Sequence, residues 1–156
     1  MNRIDLADPV FTAYAGAAGL MILKTLAMAG ATVVRMMQVK GGYRSPEDAR
    51  ATRINPAPRP GQTDPDERVD RFRRIHQNDL ENVPFFLAAG FLFVLTAPPV
   101  WLAQTLFYGY ALSRLLHFWA YATAKSHDLR AAFWTAGVLI TTGMTLHVIA
   151  TAWKVW

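Results

Sequence analysis

Arg71–Phe86 reads RFRRIHQNDLENVPFF, a dense block of ionisable and amide side chains that runs without a break into a segment apolar enough to enter a bilayer. Ionisable groups at or inside a membrane are costly, so their first reading is functional. Around this block lie four apolar tracts with little charge, 9–34, 83–97, 100–123 and 132–155. A helix needs about 20 apolar residues to cross the hydrocarbon core. Three tracts meet that directly, and the second does so if its helix begins earlier, within the polar block. The expected fold is all-α, a polytopic membrane protein built as a four-transmembrane-helix bundle. Its helices are placed at about 9–37, 66–96, 100–124 and 129–154 in one domain over 1–156.

The chain is 53% apolar, yet its mean hydropathy is only +0.15, because nearly all the charge lies between Arg35 and Glu81. A soluble helical bundle is the competing fold, and Phe85–Leu95, which shows no polar face, argues against it. Ala27-Met28-Ala29 imitates a signal-peptide processing site. Asp5 and Asp8 stand where a basic cluster would be needed, however, and Lys24 would sit inside the apolar core of the signal. The first tract therefore reads as a retained helix, with Asp8 as N-cap and Pro9 at the first helical position. The absence of cysteine excludes disulfides, thiolate metal sites and a protein-borne thiol nucleophile.

The net charge of +5 does not mark a nucleic-acid binder, since the basic residues are mixed with Glu47, Asp48, Asp64, Asp66, Glu67 and Asp70. The positive-inside rule accounts for the excess. The first and third connections carry the lysines and arginines and so face the cytoplasm, with both termini on the opposite side. A bacterial inner membrane and the endoplasmic reticulum fit this bias equally. The long first connection, about 38–65, is rich in proline and glycine and is expected to be mobile in part. Pro84 should bend the second helix, and Asp128 is the expected N-cap of the last one.

With about 100° between successive helical residues, Asp70, Arg73, Arg74, Gln77, Asn78 and Glu81 share one arc, with His76 at its edge. Such a set can receive a small ligand carrying carboxylates and an ammonium group, because arginine forks hold carboxylates and Glu81 can accept from an amine. A solvated, salt-bridged helix end is the plainer reading of the arc taken alone. A second stripe, Tyr110, Arg114, His117 and Tyr121, runs down an otherwise apolar segment and must face the interior or another subunit. Arg114 needs a carboxylate, and Glu81 is the expected partner. Arg130 stands in the first turn of the last helix, where its charge opposes the dipole unless an anion is present. A thiolate would be stabilised there, and it would have to arrive on a bound cosubstrate.

These residues carry a resemblance. ERVDRFRRIHQNDLENVPFF is similar to the central motif of the membrane-associated proteins in eicosanoid and glutathione metabolism (MAPEG), in the microsomal glutathione transferase and prostaglandin E synthase branch. Supporting matches lie at Ser45-Pro46-Glu47-Asp48-Ala49, at Arg114, His117 and Tyr121, and at Leu129-Arg130-Ala131. The resemblance implies a homotrimer of four-helix subunits, with glutathione held between neighbouring subunits near the cytoplasmic surface. It implies glutathione contacts at Arg35, Arg73, Arg74, His76, Asn78, Glu81, His117, Tyr121 and Arg130, with Arg130 the catalytic, thiolate-stabilising arginine. Ala131, Trp134 and Gln77 depart from the prostaglandin synthase pattern, which favours a conjugating transferase.

Four readings follow. The first is a membrane-bound glutathione S-transferase that conjugates hydrophobic electrophiles and has glutathione peroxidase activity towards lipid hydroperoxides. A glutathione-dependent isomerase of the prostaglandin E synthase type is the alternative within the same family. A membrane cytochrome would use His117 and His147, but these lie about 12 Å apart in expected depth, too far for two faces of one haem. A non-catalytic membrane binding or transport protein is the fourth.

Overall fold

The computed structural model describes residues 5–155. Its helices are α1 (Pro9–Val39), α2 (Glu67–Leu95), α3 (Val100–Ala122) and α4 (His127–Val155), with a short 3-10 turn at Pro46–Ala49 in the first connection. Among the described residues there is no strand.

The caps explain where the helices start. The Asp8 carboxylate accepts from the backbone N–H groups of Val10 and Phe11 at 2.7 and 3.2 Å, satisfying donors that the first turn of α1 leaves free. Asp66 does the same for α2 through Arg68 N–H at 2.9 Å. The Arg68 guanidinium hydrogen-bonds this carboxylate and, with backbone N–H groups, holds it down at about 2. α4 differs from expectation. It begins at His127, with Ser126 Oγ accepting from Leu129 N–H at 3.4 Å. Ser126 therefore occupies the capping place expected of Asp128, which instead sits inside the first turn, where its charge favours the dipole. α2 runs through Pro84 without ending.

α1, α2 and α4 are each long and apolar enough to cross a membrane. α3 is not among them, because its tyrosines, Gln104, Arg114 and His117 lower its hydropathy. Its deeper polar groups are turned inward: Tyr110, Ser113, Arg114 and His117 are buried, while Gln104 and Tyr108 are exposed. α1 packs on α2 and α3, α4 packs on the same two, and α2 touches α3, while α1 and α4 make no contact among the described residues. The core between them is aromatic. Phe86 stacks on Tyr110 with centroids 3.9 Å apart, and Phe107 meets Phe86, Phe93 and Tyr14 edge-on. In a bilayer this close fit, more than water exclusion, favours helix association. Gly90 permits it: a Cβ there would lie 2.9 Å from the Tyr14 ring, whose hydroxyl donates to the Leu87 carbonyl at 2.9 Å.

The first connection is pinned to the bundle. Asn55 and Gln62 exchange side-chain amide hydrogen bonds at 2.8 and 3.2 Å, both buried, and Gln62 also donates to the Lys40 carbonyl at 3.1 Å. Tyr43 N–H donates to the Gln62 carbonyl at 2.9 Å. Gly42, at φ +69°, packs so closely on Val69 that a Cβ would fall 3.0 Å from its methyl group. Its carbonyl accepts from Arg73 of α2. α4 is the least enclosed helix, nearly all of its residues being exposed or half-buried, so one long face is left for lipid or another copy.

Candidate functional site

Asp79 organises the interior. It is fully buried and holds two cations: Lys24 of α1, at 2.6 Å from Oδ2, and Arg114 of α3, at 3.2 Å from Oδ1. The expected Glu81–Arg114 pair is not formed. Glu81 is exposed and accepts from Gln77 at 3.0 Å. The reason is helical phase. Asp79 lies on the inward face of α2 with Ile75, Val83 and Phe86, whereas Glu81, two residues on, is turned by roughly 200°. Asp79 and Lys24 were missed as partners. A carboxylate off the polar arc and a lone lysine inside an apolar tract were the available signals.

Arg114 also donates to Asn78 Oδ1. A guanidinium can only donate, so the oxygen of Asn78 must face it and the amide nitrogen must face away. Asn78 lines a cavity of about 460 Å³ with His117, Tyr121, Arg130, Ala131 and Trp134. The Asn78 NH2 group therefore adds donors to the wall that Arg130 supplies from α4. The Arg130 guanidinium lies 4.4 Å over the Tyr121 ring, and the His117 ring meets the same tyrosine with centroids 5.7 Å apart. Buried side-chain atoms without a partner, among the described residues, are Tyr110 Oη, Arg114 Nε and Nη1, His117 Nδ1 and Arg130 Nε. Of these residues His117 and Arg130 line the cavity. A wall that carries a permanent cation and polar groups without partners favours an anion.

The other candidates stand elsewhere. Arg73 and His76 line a second cavity, about 340 Å³, with Thr32, Gln77 and Arg44. Arg73 and Asn78 are five residues apart, a turn of roughly 140° about α2, so the polar arc is divided between two faces of the subunit. Arg74 and Glu81 lie exposed between them. Arg74 is engaged by Glu67 at 2.6 Å. Arg35 does not line either cavity; its guanidinium lies 5.2 Å over the Phe72 ring. His147 is exposed and rests edge-on against the buried Phe93.

The chain is similar to known proteins over most of its length. Human microsomal glutathione S-transferase 1 is 33% identical over 143 residues, 91% of this chain and 90% of its own length. The bovine protein of the same name is 31% identical over 145 residues, 92% of each chain. Prostaglandin E synthase of Macaca fascicularis is 28% identical over 149 residues, 95% of this chain and 93% of its own. The MAPEG family profile matches residues 14–150, which takes in α2, α3, most of α1 and α4, and the residues lining both cavities, and the chain belongs to the MAPEG family.

Proposed function

We propose that the protein is a membrane-bound glutathione S-transferase that joins the glutathione thiolate to hydrophobic electrophiles, with glutathione peroxidase activity towards lipid hydroperoxides. The observation that carries this reading is the donor-lined cavity, with Arg130 and Asn78 aimed at one space in a chain that has no thiol of its own. Kinship to glutathione S-transferases at 31–33% identity supports it.

In this reading Arg130 does the central work. Its fixed positive charge stabilises the sulfur anion more than the thiol, which lowers the thiol pKa and raises the thiolate fraction at neutral pH. The thiol proton leaves to solvent. Asn78 NH2 and His117 complete the donor set around sulfur, and Tyr121 fixes the Arg130 guanidinium from below. Attack on an electrophilic carbon forms a C–S bond, and the leaving group departs with its electron pair. With a hydroperoxide, attack on the terminal oxygen breaks the O–O bond, leaving a sulfenic acid and an alkoxide that takes a proton from solvent to become the alcohol; a second glutathione converts the sulfenic acid to disulfide and water. The apolar substrate enters from the bilayer along the open face of α4.

The carboxylates and ammonium of glutathione belong to the Arg73 and His76 side, with Arg35 nearby and with Arg74 and Glu81 on the exposed edge towards Asn78. Because that side and the Arg130 cavity lie on different faces of one subunit, a complete site takes one face from each of two copies. A homotrimer with its sites towards the cytoplasm and both termini opposite fits this division and the charge bias, in a bacterial inner membrane or the endoplasmic reticulum. Turnover of 1-chloro-2,4-dinitrobenzene with glutathione, together with the ultraviolet absorbance of the bound thiolate, tests the proposal; purified protein that forms no thiolate with glutathione refutes it. A glutathione-dependent isomerase is the second reading, favoured by the kinship to prostaglandin E synthase. It is distinguished by catalytic rather than stoichiometric use of glutathione.

A further inference from the structure

The second cavity contains a cation that the sequence motif does not include. Arg73, the obvious carboxylate binder on that face, is committed elsewhere. One of its nitrogens donates to Asp70 at 2.9 Å, and another reaches both the Gly42 carbonyl and the Met36 sulfur. Those bonds tie the first connection to α2, so releasing the fork to a ligand would untie the loop. Arg35 is turned onto Phe72. Arg44, one turn of loop beyond Gly42, lines the same cavity as His76 and Gln77. It is exposed and has no hydrogen bond or ion pair among the described residues. Its loop position is fixed by the buried Tyr43 before it and by the Arg73–Gly42 bond.

We propose that Arg44 is the residue that receives one carboxylate of the peptide thiol cosubstrate, with His76 beside it, and that Arg73 is a positioning residue holding Arg44 in place. This rests on the reading of the protein as a glutathione-binding enzyme. The chemistry is specific: a guanidinium with all its donors free can grip a carboxylate bidentately, whereas one already spent on a carbonyl and a carboxylate cannot.

Calorimetric titration of the full-length protein in detergent separates the two ideas. The probes are glutathione, its glycine monoethyl ester, and 4-aminobutyryl-cysteinyl-glycine, which lacks the α-carboxylate. Arg44→Gln should weaken glutathione binding roughly 10- to 100-fold, and Arg44→Lys less. For one of the two single-carboxylate probes, wild type and Arg44→Gln should bind alike, because the group that Arg44 grips is missing. Arg50→Gln, on the same loop but outside the cavity, should bind glutathione as wild type does. If wild type binds glutathione and Arg44→Gln binds it equally well, Arg44 has no such role and the parent reading stands. Equal weakening of all three probes also overturns the assignment, since it means a general loss of site shape. If wild type binds none of the probes, the glutathione reading fails and the inference with it.

Discussion

Replacing Asp79 by Asn is the most demanding test of the interior. The substitution keeps size and shape but takes the only carboxylate from a cluster that holds Lys24 and Arg114, both nine-tenths buried or more. The net charge of the cluster rises from one positive to two. At 2.6 and 3.2 Å, and with an effective dielectric constant near 20, each attraction is worth roughly 5–6 kcal/mol before desolvation is counted. Breaking one partner out of a buried pair costs about 3–5 kcal/mol net. For a chain of this size that corresponds to a fall in Tm of roughly 6–20 °C. Lys24→Met should cost markedly less, because it leaves Arg114 and Asp79 balanced. The double variant Lys24→Met/Asp79→Asn should fare better than the sum of its parts, with a coupling of about 0.5–3 kcal/mol. Reversible denaturation of the four proteins in one detergent measures the cycle. An Asp79→Asn protein within about 1 kcal/mol of wild type would falsify the account of Asp79 as the hub.

Arg130→Leu should reduce transferase turnover by roughly 10²–10³, the usual loss when a donor to developing negative charge is removed; paired kcat and thiolate-absorbance measurements check it. Asn78→Asp keeps an acceptor for Arg114 but turns a donor face of the cavity into an acceptor, so glutathione affinity should fall at least roughly tenfold in a titration calorimeter. Gln62→Ala should loosen the first connection by about 1–3 kcal/mol by orphaning buried Asn55, read as faster hydrogen exchange over residues 43–62. Asp66 gives a pH dependence. Its folded value of about 2 lies below the ordinary 3.8, so its stabilisation of α2 is present above the ordinary value and is lost as pH falls towards the folded one. Helicity followed by circular dichroism across that window should decline less in Asp66→Asn than in wild type.

The helices were legible because their signals are local: Asp8-Pro9 and Asp66 announce starts, and continuous apolar runs set lengths. The candidate residues were legible because a polar arc and a polar stripe stand out against such runs. The interior pairing was not. A helical wheel groups residues by exposure to a common direction, and Asp79 points away from the arc that drew attention, towards a lysine fifty-five positions earlier. The division of the arc between two faces was hidden for a related reason, since it depends on which neighbouring helix covers each edge of α2. Arg44 was obscured by its place in a proline-rich connection. Nothing in that stretch advertises the Asn55–Gln62 amide pair that gives the loop a definite shape.

If a complete pocket takes one wall from each of two copies, as proposed, the split of one polar arc onto two unlike walls has a genetic consequence. Contacts that join unlike surfaces propagate head to tail and close into a ring rather than pairing about a dyad. In such a ring a subunit crippled on one wall and a subunit crippled on the other can restore a working pocket where their intact walls meet. Co-expressing Arg130→Leu with Arg44→Gln would therefore give more activity at low glutathione than either variant alone, while a single defective copy mixed with wild type would poison only the junctions it touches.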